Sequence, residues 1–185
     1  NAFQKQLSAT VDVYGVTLAR FLFGFPLAVL YIFWLYQSRP IQLHASFTPM
    51  FWVYILIAGC SQILATILLV MLFKQKNYAV GVGLAKSEAI LAALIGVMLL
   101  QEHLSWLGWA GVVIGGAAVF LLSKGHQQQK LSLSTLMIGV GSGLSFAITS
   151  LLVREASLEL SALPFLHRAA WVLLCVIGFQ CISLL

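Results

Sequence analysis

The chain has 185 residues, of which 61% are hydrophobic and only 8% charged, and its mean hydropathy is +1.01. Soluble domains carry roughly 25% charged residues, so fifteen charged side chains cannot cover a globule in water, and a disordered tail or a nucleic-acid-binding arm would need far more charge. The composition is that of an integral membrane protein, and its net charge of +5 does not signal nucleic acid.

The N-terminal stretch is polar, lacks an initiator Met and has no A-x-A-like cleavage site, so no secretory signal is visible. It reads as the foot of a helix whose body lies upstream, and the chain is expected to be a fragment of a larger bundle. A bilayer core about 30 Å thick needs about 20 apolar residues of helix, and that ruler finds six segments: 13–36, 50–73, 79–100, 105–122, 133–153 and 163–185. Unpaired backbone groups in hydrocarbon are too costly for lipid-exposed loops or open strands, so all six are expected to be helices. The connections are short, and the polar one containing Gln127, Gln128, Gln129 and Lys130 is the best candidate for a linker between two halves. Counting Lys5, Lys74, Lys76, Lys124 and Lys130 against Arg39 and Arg154 on alternate sides places the lysine-bearing connections in the cytoplasm.

In the first segment Arg20 lies roughly 9 Å from the helix start, shallow enough to snorkel, and Arg168 is similarly placed near the start of the last. The middle of 50–73 holds a polar group, Gln62, with Ser61 and Thr66 nearby. Such a group either lines a pathway or bonds a neighbouring backbone. Lys86 and Glu88 are expected near the middle of 79–100, where an ionisable group costs about 2.5–3.5 kcal/mol or more and needs a partner or a wet cavity. Two residues apart on a helix, they point roughly 200° apart and cannot simply neutralise each other. Two readings of Glu88 follow: it lines a polar cavity and takes a proton or a cationic part of a solute while Lys86 or Arg20 meets an anionic part, or it pairs with Arg20 or Lys5 and merely locks helices together.

The G-x-x-x-G pairs Gly111–Gly115 and Gly139–Gly143 suggest close helix packing. A nucleotide-binding glycine loop would need a preceding strand. Trp52, Trp106 and Trp109 sit where an interfacial belt is expected. Cys60, Cys175 and Cys181 lie in apolar segments without a C-x-x-C, while His44, His103, His126 and His167 are scattered. No metal site, catalytic set or cofactor is expected. Laying Arg20 on Arg168 aligns two stretches that each carry one Arg shortly after helix entry and then a long apolar run. Lys5 and Arg154 then fall within one position of each other, which hints at a duplication with a new repeat starting near Leu131.

The stretch AVGVGLAKSEAILAALIGVMLLQEHLSWLGWAGVVIGGAAVFLL, residues 79–122, resembles the last two helices of an EamA-type repeat of the drug/metabolite transporter superfamily. Gln101-Glu102 stands where that family has Gly-Glu, Leu104-Ser105 follows, and Trp109, Gly111, Gly115 and Gly116 continue the pattern. TLARFLFGFPLAVLY, with Arg20-Phe21, is similar to the family's second helix. The resemblance implies an all-α polytopic bundle of ten helices in two inverted five-helix repeats. Residues 1–130 would hold the end of helix 1 and helices 2 to 5, and residues 131–185 would hold helices 6 and 7. This chain departs from the family in having Lys86-Ser87-Glu88 where a proline is usual, and the family's topology puts the 37–49 connection in the cytoplasm, opposite to the charge count. Glu102 matches the turn glutamate and is expected to favour a helix capped by Ser105.

The function implied is secondary transport or export of a small metabolite, amino acid or drug-like molecule by alternating access, driven by a gradient and coupled to protons through Glu88. The setting would be a bacterial inner membrane. The partners would be the lipid bilayer and a small-molecule substrate, with room for a homodimer. The pathway residues would be Glu88, Lys86, Arg20 and Gln62. A membrane-embedded enzyme for lipid or polyprenyl substrates is the second class, disfavoured because Asp12 is the only Asp. A structural membrane protein is the third.

Overall fold

The computed structural model describes residues 11–41, 46–74, 83, 85, 87–99, 105–124 and 133–185, and every regular element among them is helical. In chain order these are α1 (Val13–Ser38), α2 (Pro49–Phe73), α3 (Glu88–Leu99), α4 (Trp106–Lys124), α5 (Leu133–Glu159) and α6 (Phe165–Leu184). Four of them, α1, α2, α5 and α6, are long and apolar enough to cross a membrane. Their 26, 25, 27 and 20 residues are roughly 30–40 Å of helix at a 1.5 Å rise. The described parts of α3 and α4 are shorter apolar helices. Hydrophobicity is inverted relative to a soluble fold. Phe23, Met98, Trp106, Leu107 and Ile182 are each at least 75% exposed, whereas Thr17, Thr66, Ser142 and Gln180 are fully buried. Bare apolar side chains outside and hydrogen-bonding ones inside suit a bundle whose solvent is lipid.

The chain divides into two compact units. The first comprises Asn1–Val13 and Leu64–Ile148. In it the Ser142 hydroxyl donates to the Ala65 carbonyl at 2.9 Å, and a methyl added at Gly141 would stand 3.4 Å from Leu68 Cδ1. Small buried residues, Gly139, Ser142 and Gly143, let α5 approach its neighbour here. Ile90 packs over Gly115 and Gly116, while nothing stands within 4 Å of a Cβ built at Gly111, so the Gly111–Gly115 pair makes its close contact at one end only. Ser105 caps α4, accepting the Gly108 N–H at 3.2 Å on its hydroxyl. Glu102, expected to assist that start, lies outside the described residues.

The second unit comprises Tyr14–Ile63 and Thr149–Leu185. Its core is Phe51, Ile55, Ala156, Leu160, Leu163, Val172 and Val176, contributed by α2, α5, α6 and the α5–α6 turn. Thr48 caps α2 by accepting the Phe51 N–H at 3.1 Å, and its own hydroxyl donates to Glu159 Oε2 at 2.6 Å. Pro49 follows at the first helical position, where its missing N–H costs nothing. The Glu159 carboxylate thereby lies at the positive end of the α2 dipole, and this accounts for a helix that runs six residues past the expected 133–153. Ala156 and Leu160 pack into the core, so Arg154 and Glu155 lie within the helix and not in a connection.

Contacts within this unit fix how its helices run. Arg39 meets His167, Tyr36 meets Trp171, and Gly24 meets Ile177, so α1 and α6 are antiparallel. Gly59 meets Phe179 and Gln62 meets Gln180. Thr48 meets Glu159, and the Thr149 hydroxyl donates to the Ala58 carbonyl at 3.4 Å. Thus α2 and α5 are antiparallel too.

Candidate functional site

A cavity of about 900 Å³ lies wholly within the second unit. Four helices supply its polar lining: Arg20 from α1, Gln62 from α2, Thr149, Ser150, Arg154 and Ser157 from α5, and Arg168 from α6. Val172, Leu173, Val176 and Ile177 give it an apolar wall along α6. Among the described residues that line it there are three guanidinium groups and no carboxylate.

The helix pairings place these groups along the bundle. Arg154, Ser157 and Arg168 lie toward the α5–α6 turn. Gln62 is level with Gln180, and Arg20, one helical turn before Gly24, falls at a similar height, roughly 18 Å from Arg168 at a 1.5 Å rise. Gln62 is also at the middle of α2. The cavity therefore has a cationic end near the α5–α6 turn and a second polar zone at the level of Gln62 and the exposed Arg20.

Individual side chains show what holds the site. The Arg168 guanidinium stands 5.4 Å from the Phe165 ring centroid, within cation–π range, and its Nε is buried with no hydrogen-bond partner. Arg154 is half exposed, and its Nη1 is 3.8 Å from Glu155 Oε1, a long and weak pairing. Gln180 Nε2 donates to Gln62 Oε1 at 2.6 Å, while Gln180 Oε1 is buried without a partner. Beside the cavity, His167 is buried edge-on to Tyr36. Its Nε2–H donates to the Arg39 carbonyl at 3.0 Å. A carbonyl only accepts, so the proton is on Nε2.

The sequence profile of the EamA-like transporter family matches residues 1–124, about two thirds of the chain. The chain belongs to the EamA-like transporter family. It is accordingly a multi-pass membrane protein of the drug/metabolite transporter type, a family of transporters and not of enzymes. No curated protein and no solved structure matches it.

Of the four pathway residues expected in this EamA-like chain, Arg20 and Gln62 come together in the cavity. Lys86 lies outside the described residues. Glu88 is not among the cavity's lining residues. Gly83 and Ala85 are helical, Ser87 is a turn, and α3 begins at Glu88. Ser87 starts the helix by accepting the Leu91 N–H on its carbonyl at 3.0 Å. A Ser followed by an acid is a favoured helix start. Glu88 is partly buried in the first turn of α3.

Sequence reasoning missed Arg154, Ser157, Thr149 and Gln180. Arg154 was expected at a helix end outside the span, and Gln180 was passed over within an apolar run. Its signal was the one that singled out Gln62, an amide in the hydrophobic interior of a helix.

Proposed function

We propose that this EamA-like protein is a secondary transporter or exporter that moves a small metabolite, amino acid or drug-like molecule by alternating access, with the cavity of the second unit as part of the solute pathway. The observation that carries the reading is the cavity itself. A space of about 900 Å³ falls in the range of small-molecule sites, roughly 300–1,000 Å³. It runs from the ends of α5 and α6 to the level of Gln62, and transporter sites lie near the midplane between repeats. Arg20 and Gln62 are the polar groups at its far end, and the driving force is a gradient.

The two-repeat organisation, 1–130 and 131–185, belongs to the same proposal. Helices at equivalent positions of inverted repeats run in opposite directions. The antiparallel course of α1 and α6, which the Arg20–Arg168 alignment makes equivalent, supports it, as does a family match that ends at residue 124. A bundle of helices, not a barrel, fits a bacterial inner membrane. Coupling to protons is assigned to Glu88, an acid within an apolar stretch.

The test is solute counterflow by the full-length protein in vesicles across a metabolite panel. Accelerated exchange of at least one solute, slowed by Arg20→Gln, is expected. If no solute exchanges faster than in protein-free vesicles, the transport reading is wrong.

A further inference from the structure

The lining of the cavity narrows the substrate class. It resting on the transport reading above, we infer that the solute is an organic anion, a phosphate or carboxylate head on an apolar body. Three features converge on this chemistry. First, Arg20, Arg154 and Arg168 come from three different helices and line one cavity, with no carboxylate among its described lining residues. Elsewhere at this end of the unit, Glu159 is engaged by Thr48 and Glu155 lies beside Arg154. Among the described residues, neither Arg20 nor Arg168 has an ion-pair partner. A guanidinium without an ion-pair partner in a membrane-spanning helix is costly, and an anionic head at the α5–α6 end of the cavity would give Arg168 that partner.

Second, the donor set suits oxygen-rich anions. A guanidinium presents five N–H donors in a planar fork matched to carboxylate and phosphate oxygens. Arg168 brings one of these, Nε, buried and without a partner, and Phe165 steadies its guanidinium from the ring side. The hydroxyls of Thr149, Ser150 and Ser157 add donors along α5.

Third, the wall between the cationic end and the Gln62 level is apolar: Val172, Leu173, Val176 and Ile177. Bare phosphate would leave that wall unused, whereas an aromatic or alkyl body would cover it. Arg20 and Arg168 are also the two positions that the internal repeat relates, so both halves place a cation on the same cavity.

The test compares three probes that share an aromatic ring and differ in charge: phenyl phosphate, phenylalanine and benzyltrimethylammonium. Binding is measured by calorimetry to the full-length protein in phosphatidylcholine nanodiscs, and counterflow in vesicles of the same lipid. Phenyl phosphate should bind at least about tenfold more tightly than the cation, and Arg168→Gln should weaken it by about tenfold or more, with Arg168→Lys retaining part of the affinity. If Arg168→Gln does not fold, Arg154→Gln, at a half-exposed position, carries the comparison. Equal or tighter binding of the cation or of phenylalanine overturns the inference, as does no binding of phenyl phosphate or unchanged binding by the Arg variants. Cavity-dependent counterflow of the cation alone would overturn the anion assignment and leave the transport reading intact. Arg-dependent binding of phenyl phosphate without counterflow of any probe would do the reverse. Repeating the titration in phosphatidylglycerol nanodiscs separates the two sources of such a group. Undiminished phenyl phosphate binding marks a soluble anion, and Arg-dependent competition by the lipid marks an anionic headgroup as the natural occupant of the same chemistry.

Discussion

Gln180 Nε2 donates to Gln62 Oε1 at 2.6 Å, joining α6 to the middle of α2 through an amide pair that keeps one buried acceptor, Gln180 Oε1, without a partner. Side-chain hydrogen bonds between membrane helices contribute about 0.6–2 kcal/mol. Removing Gln62 takes from the buried Gln180 amide its hydrogen bond, whereas removing both amides leaves no such group. Gln62→Leu alone should therefore lower the thermal unfolding midpoint in detergent, and adding Gln180→Leu should recover most of the loss. Additive losses would show that the two amides act independently.

A methyl group at Gly59 would overlap the Phe179 ring. Overpacking of this kind costs about 1–3 kcal/mol, and a ring atom so near the backbone cannot swing aside as a chain end can. Gly59→Ala should destabilise the protein, and Gly59→Ala combined with Phe179→Leu should be more stable than Gly59→Ala alone. Differential scanning fluorimetry reads both.

Thr48 works on two helices at once, capping α2 and donating to Glu159 at the end of α5. Thr48→Val loses both bonds and should cost about 0.5–2 kcal/mol, the usual range for a lost cap. Because the two residues share one network, the effects of Thr48→Val and Glu159→Gln should not add. A double-mutant cycle in unfolding midpoints checks this, and full additivity would show no coupling.

Proton coupling is assigned to Glu88 alone. Glu88→Gln keeps the size and hydrogen-bonding capacity of the side chain but not its charge. It should abolish the response of transport to an imposed pH gradient while preserving counterflow at equal pH. An unchanged response would return Glu88 to a purely structural place at the start of α3.

The spans that form α1, α2, α5 and α6 were legible because their length and apolarity answer directly to bilayer thickness, and Arg20 and Gln62 because a polar group in such a span needs a reason. The Ser105 cap was legible from a local pattern. What local pattern did not carry was long-range placement. Arg20 and Arg168 could be aligned as repeat equivalents, yet nothing in their sequence neighbourhoods says that antiparallel helices bring both to one cavity. Arg154 and Glu155 read as a helix end because charge usually marks one, and the helix continues because Ala156 and Leu160 have a core to enter. Ser87 and Glu88 together favour a helix start, a local pattern that apolar length alone does not weigh.

The cavity lined by Arg20, Gln62 and Arg168 is proposed as the path of the solute. Ala169 lines it from α6, and an indole at that position would fill space the solute needs. The most direct measurement is counterflow by the full-length protein in vesicles, with Ala169→Trp compared with the wild type at matched incorporation and unchanged helical circular dichroism. With the indole in place, exchange should fall to the level of protein-free vesicles. Exchange at the wild-type rate with the indole in place would contradict it.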